Sequence, residues 1–151
     1  MADDLRKDPY GSHFFKLEIA GEEVAEIVEA SGLKNAAEVI SIKEGGLNTF
    51  AHQRPGRTTW QNIVLRCALA EKRTLQKWRD DYVREPFNED HVKSGSIAVL
   101  DDGGNVVRRF HFTNAWPISW DGPALDGGSS AMAIETIELA HEGITVTDGD
   151  E

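Results

Sequence analysis

The chain has 151 residues, 40% of them hydrophobic, enough for one domain whose core removes about two-thirds of the unfolded surface from water. Sixteen basic against 26 acidic residues give a net charge of −10, which opposes general binding to nucleic acid or anionic membrane, because polyanions are held by Lys and Arg. The single cysteine, Cys67, excludes an internal disulfide framework and a cysteine zinc site, and no apolar run approaches the roughly 20 residues of a membrane-spanning helix.

Met1 to Lys7 carries Asp3, Asp4, Arg6 and Lys7 with no apolar stretch behind them, so no signal peptide is expected and the protein should fold in the cytoplasm. Phe14 to Ile19 alternates, with Phe15, Leu17 and Ile19 on one side and Lys16 and Glu18 on the other, the period of a half-buried strand that Gly21 ends. Val24 to Ala30 and Val39 to Glu44 alternate too and predict two more strands, with turn residues Ser31-Gly32 and Lys34-Asn35 between them.

Glu44 to Thr58 holds three glycines and a proline without a sustained period, and predicts a long loop. Loops beyond about 12 residues are uncommon in compact domains and tend to be either functional or disordered, which makes this segment a candidate contact arm, with a mobile surface loop as the alternative. Its candidate contact residues are Glu44, Gly45, Gly46, Leu47, Asn48, Thr49, Phe50, His52, Arg54, Pro55, Gly56 and Arg57.

Thr59 to Leu69 returns to strand character, with Ile63, Leu65 and Cys67 on one face. Leu75, Trp78, Tyr82 and Val83 recur at helical spacing between Glu71 and Arg84, and Pro86 closes the pattern. Asn88 to Lys93 is polar and predicts a loop. Ile97–Leu100 and Val106–Thr113 flank Asp101-Asp102-Gly103-Gly104-Asn105 and predict a hairpin, with Phe110 and Phe112 facing the core and Trp116, Ile118 and Trp120 continuing the two-residue period. In Ala131 to Glu142 the apolar residues change parity between Ile134 and Ile137, which predicts a strand with a bulge near Thr136.

The pattern predicts a mainly β fold, a β-sandwich or barrel of about seven to eight strands with one flanking α-helix. One domain is expected over 1–151, ordered from about residue 9 to residue 143, with flexible ends that include the acidic Asp148, Asp150 and Glu151.

Chemistry finds little support. His13, His52, His91, His111 and His141 fall in different elements with no metal-ligand spacing, so no metal or cofactor is expected. Asp80-Asp81 lies on a solvated helix face and Asp101-Asp102 in a turn, where Asp is favoured for backbone reasons. No serine sits in a Gly-x-Ser-x-Gly elbow, the glycine pairs lack the Lys-Ser/Thr of a phosphate loop, and Cys67 reads as a buried thiol rather than a nucleophile. No enzyme is indicated. The tryptophans at 60, 78, 116 and 120 read as core packing; a monomeric β-barrel that binds a small ligand in a tryptophan-lined pocket is the alternative reading.

Leu100-Asp101-Asp102, Asn105, Arg109, Phe112, Asn114-Ala115-Trp116-Pro117, Trp120, Ala133-Ile134-Glu135 and Leu139-Ala140-His141-Glu142-Gly143 occur in an order that resembles the tail tube family of contractile phages and extracellular contractile injection systems. Phe14 to Ile19, Glu44-Gly45-Gly46, Arg54-Pro55-Gly56 and Asn62-Ile63-Val64-Leu65 resemble the same family, so the likeness runs from about Pro9 to Gly143. Where related subunits often continue the strand after Leu65 into Lys/Arg-Gly, this chain reads Arg66-Cys67-Ala68-Leu69.

The resemblance implies six copies in a ring, rings stacked into a hollow tube inside a contractile sheath, and no catalytic residues. It implies as partners the chain itself, the sheath, baseplate or hub and tube-terminating proteins, with possible lumenal cargo, no nucleic-acid specificity and no membrane insertion. Assembly in the bacterial cytoplasm, as part of a phage tail or injection particle, follows from the same likeness, and Glu44 to Thr58 matches the segment that reaches the adjacent ring.

Overall fold

A computed structural model describes residues 14–43, 45–46, 49, 51–69, 71–128 and 132–149. Among the described residues nine strands and one helix follow in order: β1 (Phe14–Ile19), β2 (Glu22–Ser31), β3 (Asn35–Ile42), β4 (His52–Trp60), β5 (Ile63–Ala68), α1 (Thr74–Arg84), β6 (Lys93–Leu100), β7 (Val106–Asp121), β8 (Ile134–Ala140) and β9 (Ile144–Asp148), with a short 3₁₀ turn at Glu89–His91. Six antiparallel strands run in the order β6-β1-β2-β5-β8-β7, and pairing of β6 with β7 closes them into a barrel. Closure leaves none of these six strands with a free edge.

The strands follow from their alternation. Leu17 and Ile19 on β1, Ala25 and Ile27 on β2, Ile63, Leu65 and Cys67 on β5, and Ile137 and Leu139 on β8 all point into one buried core. Ala20 and Gly21 both take positive φ in the two-residue β1–β2 turn, the backbone that matches the twist of a tight hairpin. Helix α1 adds Leu75 and Trp78 to the core. It is held on β7 by Arg79, which donates to the Pro117 carbonyl at 3.0 Å, and by Tyr82 stacked on Trp116 at 5.0 Å. Trp78 Nε1–H donates to the His91 carbonyl at 2.6 Å and ties the 3₁₀ turn beneath the helix.

Four features differ from the sequence expectation. First, the strand expected over Thr59–Leu69 is divided at Gln61-Asn62 into the end of β4 and β5, and most of the segment expected as a loop is β4 itself. β4 pairs with β3 in a separate two-stranded sheet, with Gly56-Arg57 bulged opposite Glu38, and Pro55 is tolerated because a two-stranded ribbon has only edges. Second, β8 has no bulge: Glu135, Ile137 and Leu139 are buried in strict alternation, and the irregularity lies in its partner β7 between Pro117 and Ser119.

Third, β7 changes phase twice. Asn114 at φ +48 and a register shift opposite Lys93–Gly95 bring Ala115 and Pro117 to the core instead of Trp116; the second shift at Ile118 returns Trp120 to the core. Fourth, Ile144–Asp148, expected within a flexible end, pairs with β7 as β9 outside the closed ring of strands.

Candidate assembly surfaces

The β3–β4 hairpin is an arm. Every residue of β3 is exposed, and of β4 only Gly56 and Trp60 are partly covered. It packs extensively on no other element. Val39, Ile40 and Ile42 are 62%, 51% and 37% exposed, so the apolar residues that made β3 legible as a strand face water rather than a core. An isolated two-stranded hairpin is marginal in water, so an arm of this kind is completed by whatever it lies against.

Eight of the twelve candidate contact residues are described, and they fall on β4 or between β3 and β4. His52, Arg54, Pro55, Gly56 and Arg57 lie on β4, Gly45 and Gly46 in a turn and Thr49 in a bend; Glu44, Leu47, Asn48 and Phe50 lie outside the described residues. Arg54 and Arg57 are exposed, with no ion pair to a carboxylate among the described residues.

The barrel carries opposite charges on opposite sides. β2 and β7 stand across the six-stranded ring from each other. On the β2 side Glu22, Glu23, Glu26 and Glu29 face outward; Lys16 pairs with Glu23 at 3.3 Å and Arg66 with Glu29 at 2.8 Å. On the β7 side a groove of about 700 Å³ along α1 is lined by Lys72, Arg73, Lys77, Arg84 and Lys93 against Asp80 and Asp81. Sequence reasoning missed this cationic groove, because its members are scattered from residue 72 to residue 93 in a chain that is acidic as a whole.

Residues weighed for chemistry have structural partners. Cys67 is fully buried, and burial together with the nearby Glu135 carboxylate pushes its thiol up to about 12, which makes the nucleophilic thiolate inaccessible at neutral pH. Asp101 Oδ1 accepts from the Gly103 and Asn105 amides, both at 2.9 Å, the backbone role expected of a turn aspartate. His111 Nε2 lies 2.9 Å from Thr147 Oγ1, and Arg109 is paired with Glu18 and donates to Ser96 Oγ at 3.3 Å. The four tryptophans line no common pocket: Trp78 and Trp120 belong to the core, Trp116 stacks under α1, and Trp60 sits at the root of the arm.

The family model for T4-like virus tail tube protein gp19 matches residues 11–145. No curated protein matches the chain. Among solved structures, the anti-feeding prophage cap (AFP tube terminating cap) shares 25% identity with a TM-score of 0.80, covering 97% of this chain and 97% of that chain. The PVC sheath-tube complex of an extracellular contractile injection system in the extended state has 23% identity and a TM-score of 0.77 over 93% of this chain and 92% of that one. Hcp1 from Flavobacterium johnsoniae has 20% identity and a TM-score of 0.62 over 90% and 96%; at such identities these last two show a shared fold. The match over residues 11–145 spans the barrel, the arm and α1 together, and the chain belongs to the T4-like virus tail tube protein family, structural proteins of the tail tube.

Proposed function

We propose that the chain closes into six-membered rings that stack into a hollow conduit, and that the β3–β4 arm is the contact between one ring and the next. The observation that carries this reading is the arm: an ordered ribbon with no core of its own, presenting Val39, Ile40 and Ile42 to water beside Arg54 and Arg57. Solvent-exposed apolar residues on a segment whose strands pack extensively only on each other mark a surface meant to be covered.

The closed barrel supports a load-bearing role in the mechanical sense, since each of its strands is paired on both sides and transmits force through backbone hydrogen bonds. Ring closure fixes the number of copies, while stacking leaves an open end for growth. Outside the tube the partners are the sheath, the baseplate or hub and a terminating cap, in keeping with the sheath-tube complex and the tube terminating cap among the structural relatives. A net charge of −10 gives the tube no affinity for nucleic acid as such. No helix of the described residues is long and apolar enough to cross a membrane, and assembly is proposed to take place in the bacterial cytoplasm. The chain has no catalytic role in this reading.

The test is negative-stain microscopy with light-scattering chromatography on the intact chain and on a chain whose residues 36–59 are replaced by Asn-Gly, a two-residue turn between the paired Asn35 and Trp60, each with and without its native baseplate partners. The intact chain should form rings and stacked tubes, and the shortened chain rings only. A strictly monomeric intact chain in both conditions would overturn the tube reading, and tubes from the shortened chain would overturn the assignment of the arm.

A further inference from the structure

The arm leaves the barrel through Gly32–Lys34 and returns through Gln61-Asn62. Gly32 has φ +84, and a β-carbon there would lie 1.9 Å from the Asn62 carbonyl oxygen, so the outgoing and returning chains touch backbone to backbone. Lys34 N–H donates to the Gly32 carbonyl at 2.8 Å, and Gln61 N–H to the Lys34 carbonyl at 3.0 Å. The root is narrow and hydrogen-bonded across.

Against this root lies the segment Ala140-His141-Glu142-Gly143. The His141 ring meets Trp60 edge-on, with centroids 5.8 Å apart and planes at 64°. His141 Nε2 lies 2.8 Å from the Gln61 carbonyl oxygen, and Gly143 N–H donates to His141 Nδ1 at 3.1 Å. A carbonyl only accepts and an amide N–H only donates, so both contacts select the same neutral tautomer, with the proton on Nε2. The imidazole therefore bridges two backbones, one in the arm root and one in the barrel.

The barrel end of that bridge is firmly held. Glu142 accepts from Asn114 Nδ2 at 2.7 Å, Glu142 N–H donates to the Thr113 carbonyl at 2.9 Å, and Thr113 N–H donates to the Gly143 carbonyl at 3.2 Å. These bonds fasten the segment to β7 at the bulge where Asn114 takes φ +48. Gly143 takes φ +147, a backbone that favours glycine, and runs beside the Trp60 indole, whose Nε1 lies 3.6 Å from where a β-carbon would stand, ordinary van der Waals contact.

We propose that His141 is a positioning residue for assembly: its neutral imidazole clasps the root of the arm to the barrel and sets the angle at which the arm meets a neighbouring copy of the chain. The inference rests on the reading of the arm as the inter-ring contact. The lever is long: β3 has eight residues. At about 3.4 Å per residue such a strand is roughly 27 Å long, and a tilt of about 10° at the root moves its tip by about 5 Å, more than side-chain contacts tolerate.

The two side-chain amides separate the two bonds. The glutamine amide reproduces the Nε2–H donor that reaches Gln61, whereas the asparagine oxygen reproduces only the Nδ1 acceptor that holds Gly143. Full-length His141→Gln should stack into tubes as the wild type does. Full-length His141→Asn should form rings with about tenfold less protein in tubes at equal concentration, the factor carried by one net hydrogen bond. Hydrogen exchange on unassembled subunits should quicken in β3 and β4 of His141→Asn while β5 and β8 stay protected; a general loss of stability would quicken all four.

Tubes from His141→Asn at the wild-type level, equal loss in both variants, or exchange rising in barrel and arm together would each overturn the clasp. The chain with residues 36–59 replaced, run beside them, keeps the two readings apart. If it still stacks, the arm assignment falls and the clasp with it; if it fails to stack while His141→Asn stacks normally, the clasp alone falls.

Discussion

The barrel and the arm are built from the same kind of strand and differ in what their side chains meet. In the barrel, each strand buries alternate residues against a common core, and Leu17, Ile63, Leu65, Ile137 and Leu139 are fully inaccessible. In the arm, two strands of comparable length bury nothing completely, and their apolar residues face water. Strand structure thus requires pairing, whereas stability requires a covered face. The barrel supplies both within one chain; the arm obtains only the first, and in the proposed tube it obtains the second from a neighbour.

The barrel side of that comparison breaks most decisively at Phe112, which is 1% exposed at the centre of the core. Phe112→Ala leaves a cavity that strands held in a closed barrel cannot collapse to fill, and should cost about 3–5 kcal/mol. Chemical denaturation of the unassembled subunit would read this as a lowered midpoint with an unchanged slope. Rings should be lost along with the fold. A change below about 1 kcal/mol, the range of a surface substitution, would mean that the barrel core is not what stabilises the subunit.

How far the sequence revealed each region follows from the same physics. β1 was readable to its exact limits, and β2, β5, the helix and the β6–β7 hairpin to within a few residues, because burial on one face enforces the period that alternation detects. β4 was read as a loop because no buried face imposes a period on His52–Trp60, and because Pro55 and Gly56 are breakers in a central strand but not at a bulge in a ribbon. In β7 the phase was misread beyond Thr113, since the changes at Asn114 and Ile118 leave no mark in the hydrophobic pattern. Glu135 hid the phase of β8: its carboxylate is buried, accepting from Trp120 Nε1 at 3.0 Å, at a position where alternation expects an apolar residue. The candidate contact residues are neighbours along the chain and needed no fold to be grouped; the contact of His141 with the arm root was not legible, because Gln61 and His141 are eighty residues apart and the bond runs to a backbone carbonyl.

A smaller effect distinguishes the two regions by pH. The Cys67 thiol, raised from 9.0 to about 12 by burial and by Glu135, is protonated in the folded chain over a range where the unfolded chain has lost the proton. The folded state then binds more protons, so this contribution is fully present below about pH 9 and declines as pH rises towards about 12. At pH 10 the loss should be on the order of 1 kcal/mol. Thermal melts of the unassembled subunit between about pH 8 and about pH 10 should show this decline in the wild type and less of it in Cys67→Ala, which starts from a lower stability. Equal pH slopes in both would remove Cys67 as the source.

The least effect on the subunit belongs to the arm, and that is the sharpest form of the comparison. Ile40→Ser with Ile42→Ser changes residues that are already 51% and 37% exposed, so each should alter subunit stability by no more than about 0.5 kcal/mol. In the proposed tube the same two side chains are covered, and losing about 1.5–3 kcal/mol of burial for each would weaken every inter-ring contact at once. The expected outcome is a subunit with an unchanged denaturation midpoint that forms rings and does not stack, read by light scattering and microscopy on the same samples. A lowered midpoint would place the arm within the folding unit, while normal tubes would show that these isoleucines stay in water after assembly. The separation works because stability and assembly draw on different faces of the chain: Phe112 acts on the first, and Ile40 and Ile42 on the second.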